Sequence, residues 1–460
     1  MHTNQRKFTP LLLAFTAATG VAAQAQSSDA LIDKLVQKGV LTTKEASDLR
    51  EEAKNAKPVA PAASKIGISD WVNNIKFSGD FRGRFEQNNA ETTDYFDRNR
   101  YRMRLRVGAV ANLADQFDIG MRIATGNPLT NPGGTLVGGS PITANQDLNS
   151  LESRKFLWVD AAYARWNAVK MDNFTLSATI GKMDNPFQLS NMVWDYDINP
   201  EGAALQAAYK FNDHHALKFN GAFFALDEIN QGVGSVPSIS PSRDPFVYGG
   251  QLLFESKWAS NLDTSLGAAV FDIANKDSLS SKVQPYYNSG TSRDATTGAI
   301  LHNMNPVIGT AAVTYTLDSF PLYPGKFPIK VSGEYMYNPG APNNNTGYRG
   351  GVTLGKAGKK HAWELSYRYQ RLEADAWFDA LVDDDNGAWY AAGNPQLGGT
   401  GKSNGWFGGT NVKGHLLQAS YSFTDFMNFT FTYYLNDLII NAPGQSSDAG
   451  HFMADLNWKF

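Results

Sequence analysis

Residues 75–86 read Ile-Lys-Phe-Ser-Gly-Asp-Phe-Arg-Gly-Arg-Phe-Glu, and apolar or small residues alternate in them with polar or charged ones. Residues 100–111, Arg-Tyr-Arg-Met-Arg-Leu-Arg-Val-Gly-Ala-Val-Ala, continue the same period of two. Successive side chains of a β-strand point to opposite faces of the sheet. Each stretch therefore predicts a strand with one apolar face and one charged face.

The same pattern recurs to the end of the chain. Further strands are predicted near 117–126, 155–166, 174–183, 202–211, 216–226, 245–257, 264–273, 306–317, 327–338, 347–356, 361–372, 414–423, 428–438 and 450–460. With the first two they make about sixteen, an even number, as in single-chain bacterial membrane barrels. Their connections alternate between short turns and long polar or glycine-rich loops, which is also typical of such barrels.

The composition fits this fold class better than a helical membrane protein. The mean hydropathy is −0.35, yet 12% of the residues are aromatic and 42 are glycine. A transmembrane barrel can be this polar because every second residue faces its lumen. We therefore predict an all-β protein, a transmembrane antiparallel β-barrel over residues 71–460. A soluble periplasmic β-protein is the alternative, which solubility without detergent would reveal.

The last strand carries the most specific single pattern. Apolar residues alternate there up to a C-terminal phenylalanine, in the order Phe452, Ala454, Leu456, Trp458 and Phe460. Outer-membrane proteins resemble one another in this ending, which implies the barrel-assembly machinery as a partner that reads Phe460. Outer-membrane lipid would surround the apolar face.

The residues before the barrel predict export and a small helical segment. Residues 1–25 have a basic start, an apolar centre and an Ala-Gln-Ala cleavage site, so they predict a signal peptide. Residues 26–56 predict a periplasmic helical segment, in which Thr42 and Glu45 form a capping-box pattern. Residues 57–70, rich in proline and alanine, predict a linker. The predicted location is the outer membrane of a Gram-negative cell, with the N-terminal segment in the periplasm.

Charge and motif content exclude other functions. The formal net charge is −3, which argues against nucleic acid as a partner. The chain has no cysteine, and it carries neither a G-x-S-x-G nor an H-E-x-x-H motif. We therefore expect no enzyme activity, no cofactor and no metal site.

Seven arginines are predicted to line one wall of the lumen. Arginine facing lipid at mid-bilayer costs roughly 2–4 kcal/mol, so a row of arginines on one strand must face water. The row consists of Arg98, Arg100, Arg102, Arg104 and Arg106, and the same charged face of the preceding strand carries Arg82 and Arg84. Two interpretations stay open: a positive wall that concentrates anions, or a solvated wall whose charge is neutralised by neighbouring acids.

Three motifs resemble a known family. The stretch 97–106, Asp-Arg-Asn-Arg-Tyr-Arg-Met-Arg-Leu-Arg, is similar to the second strand of the bacterial "putative porin" family. Asn-Pro-Phe at 185–187, followed by Val-Trp-Asp-Tyr-Asp-Ile-Asn-Pro-Glu-Gly at 193–202, is similar to that family too. Leu-Val-Gln-Lys-Gly-Val-Leu-Thr at 35–42 resembles the segment before the barrel in this family and in phosphate-selective porins. The resemblance implies a passive, homotrimeric diffusion channel for small hydrophilic solutes.

The connection after the fifth predicted strand, roughly 184–200, carries acids. In sixteen-stranded porins, which the chain resembles in strand count, this loop folds into the pore. We therefore expect its acids to face the arginines across a narrow gap, although an ordinary external turn is the alternative. The candidate acids are Asp184, Asp195, Asp197 and Glu201.

A second acidic run, 383–385, lies in the long loop near 373–413. Clustered carboxylates can bind calcium, but the spacing does not match an EF-hand loop. We therefore expect a solvated external loop, whose aromatic residues pack on the loop itself or on the barrel rim. The alternative to a porin is a structural anchor or adhesin with a closed barrel. The sequence shows no spare globular segment to close it.

Overall fold

The computed structural model describes most of the predicted barrel. The described residues are 36–38, 42–47, 69–91, 97–229, 243–282, 287–397 and 404–460. The predicted signal peptide and most of the predicted helical segment and linker lie outside them. Among the described residues, no helix is long and apolar enough to cross a membrane.

Sixteen long strands, numbered β1–β16 here, form one antiparallel sheet. They are β1 Val72–Ala90, β2 Arg98–Leu113, β3 Phe117–Thr125, β4 Leu157–Lys170, β5 Phe174–Lys182, β6 Glu201–Lys210, β7 His215–Ala225, β8 Phe246–Ala259, β9 Leu262–Ala274, β10 Val307–Leu317, β11 Phe327–Tyr337, β12 Thr346–Gly355, β13 Trp363–Leu372, β14 Val412–Ser422, β15 Met427–Leu438 and β16 Ala449–Lys459. The two-residue strand Gln146–Asp147 also pairs with β2. The sixteen predicted strands are confirmed.

Each long strand pairs with its neighbours in sequence, and β16 pairs with β1 to close the barrel. Apolar side chains are exposed on the outer face, for example Phe77, Tyr101, Phe219 and Val331. The polar partners in the alternation face the interior. Because closure removes both edges of the sheet, every strand can satisfy its backbone within the barrel.

All the long loops lie at one end of the strands, as predicted, and the other end carries only short connections, here called turns. The turns are 114–116, 171–173, 211–214, 260–261, 318–326, 356–362 and 423–426. The loops, named L1 to L8, are 91–97, 126–156, 183–200, 226–245, 275–306, 338–345, 373–411 and 439–448. The chain enters β1 at the turn end, where the amide of Ala114 donates to the carbonyl of Trp71 at 2.8 Å.

The C-terminal residue seals the junction between β1 and β16. The amide of Gly79 donates to the carbonyl of Phe460 at 2.8 Å, and the amide of Phe460 donates back at 3.0 Å. The ring of Phe460 covers Gly79, where a Cβ atom would lie 2.5 Å from the ring and 2.7 Å from the carbonyl oxygen of Arg106. Only glycine fits there without moving either group.

We expect Gly79→Ala to impair barrel closure and Gly83→Ala to be tolerated. Both glycines lie on the outer face of β1, but a Cβ atom at Gly83 would meet nothing within 4 Å. The measurement is the fraction of each variant that refolds into a heat-modifiable barrel in detergent. Equal yields for the two variants would contradict the sealing role of Phe460.

The chain divides into two units, residues 1–70 and 71–460. Within the first unit, residues 43–47 are helical and the predicted capping box is present. The amide of Thr42 donates to Glu45 Oε2 at 2.8 Å, and the amide of Glu45 donates to Thr42 Oγ1 at 3.3 Å. The reciprocal pair satisfies free amides at the helix start.

Long loops fill part of the barrel interior with an apolar core. L3, L5 and L7 contribute residues such as Val193, Ile300 and Trp377, each at most 1% exposed. They pack against apolar side chains on the inner face of the barrel, including Phe271 and Ile308. Three separate loops supply this filling together, and not a spare globular segment.

A candidate channel and its lining

The predicted arginines on β1 and β2 share the inner face of the barrel. The register places Arg82 opposite Arg104 and Arg84 opposite Arg102, so like charges lie side by side. Such pairs repel unless acids screen them. The structure places acids between them on β1 and on the neighbouring strand β16.

Two acids pair with the arginines nearest the turn end of the barrel. Asp80 accepts from Arg104 Nη2 at 2.9 Å and from Arg106 Nε at 2.8 Å. Asp455 lies 3.5 Å from Arg82 Nη1 and accepts from Arg84 Nε at 2.7 Å. The wall is therefore a network of alternating charge and not a row of unscreened cations.

The half of the wall nearest the loops is buried. Glu86 is fully buried and pairs with Arg100 and with Arg102, whose Nη1 lies 3.0 Å from Glu86 Oε2. Arg102 Nε also lies 2.8 Å from Asp147 of L2, and Arg84 Nη1 lies 3.7 Å from Asp385 of L7. L2 and L7 therefore cover these arginines, which do not line open space.

The other half of the wall lines an open polar cavity. Arg82, Arg104 and Arg106 face it together with Asp80 and Asp455. Across β14 to β16, Gln418, Asn428, Thr430 and Asn457 complete its polar lining. Of the predicted wall, Arg98 lies apart, exposed at the loop end of β2.

Arg122 on β3 belongs to this cavity, although sequence reasoning did not single it out. It pairs with Asp160 of β4 and with Asp184 of L3, the latter at 2.8 Å. A β-bulge makes this possible, because β4 skips Asp160 between the register pairs Arg122–Ala161 and Ile123–Val159. The alternation of Asp118 and Arg122 with apolar residues was the signal that could have found it.

L3 lies inside the barrel and crosses towards the opposite wall. The amide of Gln188 donates to Gln251 of β8 at 2.9 Å, and the amide of Ser190 donates to Glu334 of β11 at 3.2 Å. Asn191 accepts from Arg349 of β12. Contacts with three separate strands fix L3 across the lumen, so it is not an external turn.

The four candidate acids have different positions. Asp184 pairs with Arg122, and Asp197 Oδ1 lies 3.6 Å from Arg104 Nη1, so these two face the arginine side. Asp195 is buried away from the arginines, against L7. Glu201 pairs with Lys182 at 2.8 Å and has a 64% exposed side chain at the start of β6. It shares the outward face of that strand with Leu205.

Asp195 meets two acids of L7, Asp383 and Asp384, whose carboxylates all lie within 4.8 Å of one another. Burial, followed by the charge of Asp385, raises the pKa of Asp383 to about 7. Burial and neighbouring carboxylates also raise the pKa values of Asp195 and Asp384. Because such carboxyls are accommodated when protonated, we expect the contact between L3 and L7 to be most stable in acid and to weaken as the pH rises through about 7, where Asp383 ionises.

The expectation that residues 383–385 belong to a solvated external loop was wrong. Most residues from 374 to 391 are buried. Apolar packing holds the loop inside the barrel. The ring centroids of Trp377 and of Phe271 in β9 lie 5.7 Å apart, and Nε1 of Trp377 donates to the carbonyl of Val193 in L3 at 2.9 Å. The prediction that these aromatic residues pack on the loop itself or on the barrel rim holds for Tyr390, whose ring centroid lies 5.8 Å from that of Phe407, but not for Trp377, which packs on the inner barrel wall and on L3.

Comparison with known proteins agrees with this architecture. Residues 88–309 match the family described as "Putative porin". No curated protein matches the sequence at a significant level. The family match and the closed barrel support an outer-membrane channel.

Solved structures with a similar fold include Pseudomonas putida OprB, with a TM-score of 0.49, 10% identity and coverage of 84% of this chain and 94% of that chain. A loop-deletion mutant of OmpT from Vibrio cholerae has a TM-score of 0.42 and 12% identity, and the match covers 84% of this chain and 99% of that chain. Salmonella typhi OmpF in complex with daunomycin has a TM-score of 0.42 and 12% identity, and the match covers 85% of this chain and 99% of that chain. The family match over residues 88–309, and not these structures, confirms the resemblance to the "putative porin" family that the motifs at 97–106 and 185–202 carry.

Proposed function

We propose that this chain is a porin of the Gram-negative outer membrane, through which small hydrophilic solutes diffuse passively. The observation that carries the proposal is the open polar cavity beside the arginine wall. Most of the residues that line it are charged or hydrogen-bonding, as a water-filled path requires, and Gly79, Trp458 and Phe460 complete the lining. L3, L5 and L7 fill the interior near β9 and β10, so the path runs off the barrel axis, along β1 to β3 and β14 to β16.

The paired charges along this path suit hydrated, dipolar solutes. Arg104 and Asp197 face each other between the wall and L3, and Arg122 faces Asp184. Opposite charges across a gap produce a transverse field, which orients dipoles and hinders apolar solutes. The same pairing lowers the net positive potential, so we expect any anion preference to be small.

The second candidate function is a structural anchor or adhesin with a closed barrel. The apolar core shared by L3, L5 and L7 favours it, because a filled interior is what such a protein needs. The polar cavity favours the porin. The two proposals differ in whether that cavity joins a continuous path.

Cysteine accessibility tests the path directly, because the chain has no cysteine of its own. Asn428 and Asn436 both lie on the inner face of β15. Asn428 lines the polar cavity, whereas Asn436 is 5% exposed and donates to the carbonyl of Gly387 in L7. We expect a charged thiol reagent to reduce the single-channel current of Asn428→Cys and to leave Asn436→Cys unchanged.

A conducting channel in which Asn428→Cys is labelled without any change in current would place the path elsewhere. If the reagent reduced the current of both variants equally, L7 would not cover the loop end of the arginine wall. Mass spectrometry of the labelled protein serves as the control for reaction at each position.

We also propose a homotrimer and a periplasmic N-terminal segment. The trimer rests on the family resemblance. The orientation is supported by the entry of the chain at the turn end of the barrel, beside Ala114, because short turns face the periplasm in such barrels. The C-terminal Phe460 is the proposed signal for the assembly machinery.

A further inference from the structure

One histidine is buried where the arginine wall meets L7. His451, on the inner face of β16, is 1% exposed. The ring of Tyr434 on β15 stacks on it at 5.9 Å, and Trp406 of L7 packs edge-on at 5.2 Å. The two aromatic rings and the loop above exclude solvent from the imidazole.

Both ring nitrogens of His451 face oxygen atoms. Nδ1 lies 3.0 Å from the backbone carbonyl oxygen of Asp385 in L7. A carbonyl oxygen can only accept, so Nδ1 must carry a proton. Nε2 lies 3.1 Å from Glu86 Oε1, although the ring N–H is not aligned for a directed hydrogen bond.

The cations that pair with Glu86 determine whether Nε2 carries a proton. Glu86 pairs with Arg100 and Arg102 of β2, so its carboxylate stays ionised. A neutral imidazole with its proton on Nδ1 would turn the Nε2 lone pair towards this anion. A second proton on Nε2 converts that repulsion into an ion pair between His451 and Glu86. Among the described residues, no cation lies between Nε2 and the carboxylate to take over this role.

We propose that His451 is held as an imidazolium and acts as a positioning residue, which fixes L7 over the loop end of the arginine wall. The imidazolium links β16 to L7 through the backbone carbonyl of Asp385, and it links β16 to β1 through the carboxylate of Glu86. The carboxylate of the same Asp385 meets Arg84 at 3.7 Å. The histidine thereby keeps Arg84 and Arg102 covered and out of the path, a role that rests on the proposed porin function.

The charged groups around His451 explain why its proton matters. Glu86 and Asp385 are the acids that face it, from β1 and L7. Arg84, Arg100 and Arg102 lie on the far side of these acids, and Tyr434 is the titratable group from β15. Loss of the second proton removes the ion pair between His451 and Glu86, whose carboxylate then pairs only with Arg100 and Arg102, and the link between the wall and L7 weakens.

The direct test is ¹⁵N NMR of histidine-labelled full-length protein in detergent or lipid. At about pH 8, above the ordinary imidazole pKa of about 6.5, exposed histidines are neutral. We expect one doubly protonated histidine to persist there, to vanish in His451→Gln and to remain in His415→Gln. His415 is the matched control, because it lies on the outer face of β14 and contacts Tyr367. Absence of such a signal, or its survival in His451→Gln, would overturn the proposal.

The channel readout uses the same variants together with His451→Lys, which restores the positive charge. We expect His451→Gln to raise the single-channel conductance and to shift the reversal potential towards anions, because Arg84 and Arg102 become uncovered. His451→Lys should retain wild-type behaviour, as should His415→Gln. Identical conductance in all variants would contradict the positioning role. If no variant conducts at all, the porin function fails, while the NMR result still decides the state of His451.

Discussion

Trp377→Ala is expected to raise the single-channel conductance while leaving the barrel folded. Trp377 is fully buried between Phe271 of the barrel wall and Val193 of L3. Truncation of a buried tryptophan to alanine removes about 3–5 kcal/mol of packing, here from the contact between loops. The strand ladder does not depend on this residue, so the loops should loosen before the barrel unfolds.

The matched control is Trp166→Ala. Trp166 lies on the outer face of β4, is 48% exposed and stacks on Phe117. We expect it to leave the conductance unchanged. Planar-bilayer recordings of the two variants, together with heat-modifiable mobility as a check of folding, make the comparison. A folded Trp377→Ala channel with wild-type conductance would mean that the loop core does not bound the path.

The second large effect is expected at Glu86. Glu86→Gln keeps the size of the side chain but leaves Arg100, Arg102 and His451 facing a neutral amide. Removal of one partner from a buried ionic network costs about 3–5 kcal/mol, because the remaining charges stay desolvated. We therefore expect a marked loss in the free energy of unfolding.

Glu201→Gln provides the comparison, because Glu201 pairs with Lys182 at an exposed position. Surface ion pairs contribute only about 0–1 kcal/mol. Urea unfolding of both variants from lipid vesicles, followed by tryptophan fluorescence, measures the difference. Similar unfolding midpoints for the two variants would show that the Glu86 network does not stabilise the barrel.

The strands were predictable from the sequence because only the outer face of each strand contacts lipid, which produces a regular alternation of apolar and polar residues. Lipid demands apolar residues outside, while the lumen tolerates charge, so Phe452, Leu456 and Trp458 alternate with His451 and Asp455 along β16. The arginine row was assigned to the interior by the same reasoning. Pairing partners such as Asp455 and Asp147 could not be assigned, because they come from distant parts of the chain.

The inward fold of L7 was missed because the loop looks polar in sequence. A signal did exist on the strands: Val247, Phe271 and Ile308 occupy inner-face positions where a water-filled lumen would favour polar residues. Apolar residues on both faces of a strand indicate that something covers the inner face. The burial of Asp195 beside Asp383 had no such signal, because it depends on how two loops meet.

A porin requires that the polar cavity beside the arginine wall belongs to a continuous water-filled path. The most direct measurement is the conductance of the purified wild-type protein in a planar lipid bilayer under a KCl gradient. Stable conductance steps with a small reversal potential are the predicted result. The absence of any steps from protein shown to be folded and inserted would contradict a continuous path and favour the closed-barrel anchor.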